Sequence, residues 1–339
     1  MDHYSFLQDN YSNWLRSQKI LNDVVKNYET QRITAGKLKA MLENTLMYLL
    51  LHERYKGDDF FDQIDDRHLK EGMKCVGLEK ELKATTSAIK NSIHHAQVTD
   101  EETQNLQPQE TELYYKVGDY KLVKNKFTQK AFEHVALNHD ESTALLSCLT
   151  AALRYASIFS ETRHIGPPEG VYQLFYRWGV RHEGFASPFN ARLLGKENAK
   201  FYSLFYDTDA IFGSGGSFFD LKKMPDNGHW CLDPPFIEET MQRVDQIIAD
   251  CKNKEAGFSI LYIIPASHEP ANTPDETLTL KAGKHYYEGL EGVLKPLPVD
   301  VNIHRYGEIK GFSADEVKQG YLPEQPIIGA SRKADRYKN

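Results

Sequence analysis

The pattern that most restricts the fold lies in residues 230–264. Phe258-Ser259-Ile260-Leu261-Tyr262-Ile263-Ile264 is a near-continuous apolar run closed by Pro265, which is how a strand buried on both faces of a sheet reads. Ahead of it, Met241, Val244, Ile247 and Ile248 recur at helical spacing and predict an amphipathic helix over 237–252. Before that helix the apolar triplet Trp230-Cys231-Leu232 runs into Asp233-Pro234-Pro235-Phe236. Strand, helix and buried strand in this order make a βαβ unit, so the expected fold class is α/β with a parallel sheet covered by helices. In such sheets ligands sit in the crevice outside the carboxyl ends of the strands, where Asp233–Phe236 falls.

The tetrapeptide itself suits one kind of chemistry. An exocyclic amino group of a nucleobase is a poor nucleophile because its lone pair is delocalised into the ring. The Asp233 carboxylate and the Pro234 carbonyl can each accept one of its two hydrogens, drawing the nitrogen toward tetrahedral geometry and aiming it at a methyl donor. Such catalysis is positioning plus preorganised dipoles. Pro234 and Pro235 stiffen the loop and bring no N–H to compete with the base. Phe236 offers a face for stacking. Pro-Pro is also an ordinary way to end a strand, so the surroundings decide between the two readings.

Those surroundings come in a recognisable order. Residues 1–55 read as helical, with Leu38, Met41, Leu42, Leu46, Leu49 and Leu50 on one face. Residues 78–97 suit a further amphipathic helix, and 98–110 suit an exposed linker. Leu113–Lys124 reads as a hairpin turning at Gly118-Asp119, with Lys121 and Lys124 among tyrosines as candidates for a phosphate chain. Helix is expected over 130–160, 169–178 and 191–206. Between the last two, Val180–Asn190 reads as a strand passing into a loop of small residues. Asp207–Gly216 is a glycine-rich loop with two carboxylates, and it lacks the Gly-Lys-Ser/Thr of a phosphate-binding loop. A late strand is expected at Val299–His304, followed by a basic tail, Arg332–Lys338. The expected division is a mainly helical unit over 1–129, the α/β unit over 130–310 and a C-terminal basic tail over 311–339.

Charge and cysteines narrow the function. With a net charge of −7, the chain has no global pull on nucleic acid, so contact must use a local patch on a defined end or a single base. Cys75, Cys148, Cys231 and Cys251 have no zinc-ligand spacing, so no metal is expected and reduced intracellular thiols are. The Met1-Asp2-His3-Tyr4 start lacks a signal-peptide pattern, and no apolar run is long enough to span a bilayer.

Four ordered blocks carry a family resemblance. They are Glu183-Gly184-Phe185-Ala186-Ser187-Pro188-Phe189-Asn190, Asp207-Thr208-Asp209 leading into Phe212-Gly213-Ser214, Asp233-Pro234-Pro235-Phe236-Ile237-Glu238-Glu239, and Ile264-Pro265 with Glu269-Pro270. Together they resemble the cap-specific adenosine N6-methyltransferases, named as interactors of the phosphorylated C-terminal tail of RNA polymerase II. The resemblance implies a Rossmann-like methyltransferase unit on a helical one, S-adenosylmethionine as methyl donor, and the adenosine beside the 7-methylguanosine cap of mRNA as substrate. It further implies a nuclear setting, or a cytoplasmic one for a viral member.

Carried over residue by residue, Glu183, Phe185, Ala186, Ser187, Pro188, Asn190, Asp207 and Asp209 would line the donor site. Asp233, Pro234, Pro235 and Phe236 would hold the target adenine. Glu238, Lys121 and Lys124 are the candidates for the cap and its phosphates. The family motif opens with Asn where this chain has Asp233. Trp14, Trp178 and Trp230 are far apart, so a stand-alone, divergent member without a WW module is expected. An adenine methyltransferase on uncapped RNA or DNA, or an inactive methyltransferase fold acting as a binding subunit, are the alternatives these residues leave open.

Overall fold

The computed structural model describes residues 3–160, 164–253, 257–289 and 292–323; the basic tail at 332–338 lies outside them. Helix α1, His3–Tyr28, buries Leu7 and Tyr11 in one hydrophobic cluster and Ile20 and Val24 in another, and it packs along a later helix, Glu141–Ser157. Thr34 caps α2, Ala35–Met47, by accepting a bond from Lys37 N, and α2 continues into a π-helical turn at Tyr48–His52. Helix α3, Asp66–Cys75, packs on α2. The single helix expected over 78–97 is instead two, α4 at Glu79–Leu82 and α5 at Thr86–His95, joined by a tight 3₁₀ turn. The expected exposed linker is partly buried: Thr103 and Leu106 are inside, and β1, Gln109–Glu110, pairs with the hairpin.

The hairpin is as expected, β2 Tyr114–Val117 against β3 Tyr120–Val123. Gly118 takes a left-handed φ of +52°, and a Cβ there would lie 2.3 Å from the Tyr11 hydroxyl. The helix expected over 130–160 is two. Asn125 caps α6, Lys126–Ala136, and Asp140 starts α7, Glu141–Ser157, by accepting from Thr143 N at 2.8 Å. Helix α8 spans Glu169–Arg177.

The sheet then builds from β4, Val180–Glu183; β5, Lys200–Phe201; β6, His229–Leu232; β7, Ile260–Pro265; β8, Glu276–Leu280; and β11, Val301–Tyr306. Its order is β5-β4-β6-β7-β11-β8. The first four strands are parallel, and β11 runs antiparallel to both of its neighbours. A separate pair, β9 Tyr286–Glu288 and β10 Leu294–Pro296, lies beside this sheet in sequence.

No helix forms over 191–206. Gly195 and Asn198 both adopt left-handed φ, +71° and +54°, which interrupts an α-helix, and Lys200–Phe201 pairs as an edge strand instead. A short helix α9, Tyr206–Asp209, follows.

The sheet is buried on both faces, as the apolar run requires. Trp230, Leu232, Ile260, Tyr262 and Ile264 join one hydrophobic cluster with α10, Glu238–Asn253, and with Leu38, Met41 and Leu46 of α2. Cys231, Leu261, Ile263 and Val180 join another with Val171 and Phe175 of α8 and Val317 of α11, Ala314–Gly320. The protein is thus mixed α/β, a central mixed sheet between helical layers. The chain leaves β4 toward β5 on one side, and the next strand, β6, lies on the other. The strand order therefore reverses between β4 and β6, and a crevice opens at their carboxyl ends.

Candidate active site

A cavity of about 310 Å³ occupies that crevice. Its rim at the end of β4 is Glu183, Gly184, Phe185, Ala186, Ser187 and Asn190, and at the end of β6 it is Asp233, Pro234, Pro235 and Phe236. The two ends approach closely because residue 184 has no side chain: a Cβ there would lie 2.4 Å from Leu232 Cδ2. The loop after β4 is held by its own polar groups. Asn190 Oδ1 accepts from Ser187 N at 2.6 Å, and the Ser187 hydroxyl pairs with His164 Nδ1 at 2.8 Å. Pro188 is buried in this loop and does not line the cavity.

The other walls come from several parts of the chain. The π-helical turn and the end of α2 supply Leu51 and Met47, α7 and its C-cap supply Tyr155 and Ile158, and Phe218 and Phe219 close one side. Arg54 Nη2 bonds Phe219 O at 2.6 Å, and the Arg243 guanidinium of α10 lies 3.8 Å from the Phe219 ring centroid. The N-terminal helices are therefore fixed to the cavity wall rather than merely adjacent to it.

The cavity holds two carboxyl groups in apolar surroundings. Burial pushes Glu183 up to about 7, although Leu193 N donates to its Oε2 at 3.0 Å. Asp233, whose surface faces the cavity, is raised well above the usual carboxylate range by desolvation first and by the Glu183 charge second, while Arg192 works in the opposite direction. Burial holds His164 down at about 4, so its imidazole is neutral at physiological pH.

Several expected site residues lie elsewhere. Asp207 pairs with Arg154 Nη2 at 2.6 Å, and Arg154, itself buried, also holds Asp58 of the N-terminal region at 2.8 Å. Asp209 is fully buried behind the wall, accepting from the Tyr155 hydroxyl at 2.7 Å and from Thr208 at 2.9 Å. Both carboxylates brace the structure around the cavity and neither lines it. Lys124 is bound to Glu110 and to Thr111 O, and Lys121 lies over the Tyr114 ring, so both belong to the three-stranded sheet and not to the cavity.

Glu238 turns its carboxylate to His268, 3.1 Å from Nδ1. Asp245 holds the other ring nitrogen at 2.9 Å. Burial opposes protonation of His268, but these two carboxylates outweigh it and raise its proton affinity. Glu238→Ala should therefore lower the His268 pKa, read by NMR titration of its ring protons.

Sequence reasoning passed over Arg192, Tyr155, His164 and the aromatic pair Phe218-Phe219. Arg192 left one usable signal, a lone cation inside the apolar stretch Ala191–Leu194. Met47 and Leu51 stand outside the expected apolar face of Leu38, Met41, Leu42, Leu46, Leu49 and Leu50, and nothing in their spacing marks a cavity wall.

Fold and site together define an α/β protein with a ligand cavity at the carboxyl edge of its sheet, where the strand order reverses. Residues 111–287, just over half of the chain, match the family model described as phosphorylated CTD interacting factor 1 WW domain, and the chain belongs to that family. No curated protein matches the chain. The expectation of a member without a WW module is not borne out, since the match carries the WW designation. Among the described residues no helix is long and apolar enough to cross a membrane.

Proposed function

We propose that this chain is an S-adenosylmethionine-dependent adenosine N6-methyltransferase of Rossmann-like fold that acts on the adenosine next to the cap of mRNA. The observation that carries the reading is the meeting of Asp233–Phe236 with Glu183–Asn190 in one cavity at the reversal of strand order. Membership of a family described by the phosphorylated CTD supports work on polymerase II transcripts, in the nucleus, with that phosphorylated tail as a partner.

The residues fit a cationic donor. Two carboxyl groups of raised proton affinity face an apolar cavity, and a neighbouring positive charge lets both ionise. When bound, the sulfonium supplies an electrophilic methyl group. Asp233 and the Pro234 carbonyl accept the two amino hydrogens of the adenine and orient its nitrogen, and Phe236 stacks on the ring. As the nitrogen gains the methyl it must lose one proton. Asp233 is placed to take that proton, and its raised proton affinity suits it to the task.

Phe236→Ala should weaken substrate use by about 1–3 kcal/mol, the worth of one base stacked on an aromatic ring, and Phe236→Tyr should change it little. Steady-state kinetics on a short RNA separates the two, and equal losses would make Phe236 a packing residue. The reading as a whole is tested by mass spectrometry of nucleosides from capped and uncapped RNA of one sequence, incubated with protein and donor. N6-methyladenosine forming faster on the capped RNA is the expected result. Equal rates would remove the cap from the proposal, and product on neither RNA or on DNA would overturn it.

A further inference from the structure

Arg192 is a cavity residue whose charge the transfer reaction does not use. It lines the cavity beside Glu183 and Asp233, yet only 3% of its surface is exposed. Its Nε donates to Pro167 O at 3.1 Å and its Nη2 to Glu288 O at 3.1 Å. These two carbonyls occupy one edge of the planar guanidinium and fix its orientation. Phe127 covers a face, with its ring centroid 4.0 Å from the guanidinium carbon. The remaining nitrogen, Nη1, is buried and has no partner among the described residues. A buried donor on a charged group left unpaired is costly, which makes it a candidate to meet a ligand.

The nearest carboxylate does not discharge this group. Glu288 is spent on Lys126, 2.5 Å from its Oε1, and on Glu169 N, 3.2 Å from its Oε2, and it comes no closer than 4.0 Å to Arg192. On the cavity side stand the Arg192 cation and, beside it, the Glu183 carboxyl with one oxygen held by Leu193 N. A buried cation with a spare donor next to a buried carboxyl complements a zwitterion. Arg suits the anionic half, because its planar fork matches a carboxylate better than a lysine ammonium does.

We propose that Arg192 and Glu183 form the subsite for the amino-acid tail of the donor, Arg192 Nη1 binding the tail's carboxylate and Glu183 its ammonium group. The inference rests on the donor reading above and extends it to a residue outside the sequence blocks that carry the family resemblance.

Calorimetry on the full chain tests this without turnover. The probes are S-adenosylhomocysteine, its carboxyl methyl ester, and 5′-methylthioadenosine, which lacks the tail. The unmodified protein should bind S-adenosylhomocysteine about 10- to 100-fold more tightly than the ester, the worth of one hydrogen bond to a charged partner in a buried site. Arg192→Met should bind the two alike, and Arg192→Lys should keep part of the difference. Should Arg192→Met fail to fold, the ester comparison in the unmodified protein and the Arg192→Lys ratio still decide.

An unchanged ratio in Arg192→Met, or equal binding of acid and ester by the unmodified protein, would overturn the assignment. So would a selective loss of affinity for 5′-triphosphorylated RNA in Arg192→Met, which would make the anion a phosphate. If 5′-methylthioadenosine and S-adenosylhomocysteine bind equally well, the tail subsite falls while the donor reading stands. If no adenosyl compound binds, both fall.

Discussion

Asp233→Ala should lower methyl transfer by about 10²–10³-fold, the usual cost of removing one preorganised group that acts on the reacting centre, while S-adenosylhomocysteine still binds. The expectation comes from position. Asp233 is the first residue after β6, faces the cavity, and is followed by two prolines that fix its backbone. On the proposed function, removing the carboxyl takes away both the acceptor that orients the amino group and the base that receives its proton.

Asp233→Asn keeps the acceptor oxygen and loses the base, so it should retain part of the rate. Its amide also restores the residue with which the family motif opens. Single-turnover rates with calorimetry on the same samples check the pair. Undiminished transfer in Asp233→Ala would remove Asp233 from the reaction.

The second large effect concerns Asp209 and reads out in stability. Burial raises this carboxyl to about 7 despite bonds from Tyr155, Ser203 and Thr208. A carboxyl raised in the folded state binds more protons there than in the unfolded chain. Its contribution to stability is therefore complete below its unfolded pKa and is lost as pH rises through about 7.

Asn in its place does not titrate. The stability of Asp209→Asn relative to the unmodified protein should thus improve by about 2 kcal/mol between pH ~5.5 and pH ~7, at 1.36 kcal/mol for each unit. Glu183→Gln should behave in the same direction for the same cause. His164 and His304, both held down at about 4 by burial, act oppositely and add stability as pH rises toward the unfolded imidazole value. The unmodified protein alone will therefore show a shallow pH dependence, and the difference between variant and parent is the informative quantity. Urea titrations across this range measure it. A constant difference would mean that Asp209 is ionised in the folded protein throughout.

The parts of the fold that were legible in sequence are those in which one local rule acts alone. The buried strand Ile260–Pro265, helix Glu238–Asn253 and the hairpin at Gly118 follow from apolar periodicity and turn chemistry. The misreadings have specific causes. Asp140 reads as one more polar residue within a helical pattern, yet as a cap it starts α7 and splits the expected helix. Gly195 and Asn198 end helical geometry by their positive φ, which apolar spacing at Leu193 and Leu194 conceals.

At the site, the stretches at the ends of β4 and β6 were legible because their chemistry is local. The role of Asp207 was not. It depends on Arg154 and through it on Asp58, residues remote in sequence that only the packing of α7 brings together. Glu238 was assigned toward the cap from its place in the first turn of α10, and its pairing with His268 from the loop after β7 left no signal in the local sequence. The walls supplied by Met47 and Leu51 likewise require knowing that the π-helical turn docks on Phe219.

On the proposed function, Asp233–Phe236 presents an adenine amino group to a methyl donor held at the end of β4. This is tested most directly by incubating the protein with S-adenosylmethionine labelled in its methyl group and a capped RNA whose first transcribed nucleotide is adenosine, then locating the label by tandem mass spectrometry of the released cap dinucleotide. Label on N6 of that adenosine, lost in Asp233→Ala, is the predicted result. Label on a ribose oxygen or on the guanine, or label on N6 that persists in Asp233→Ala, would contradict it.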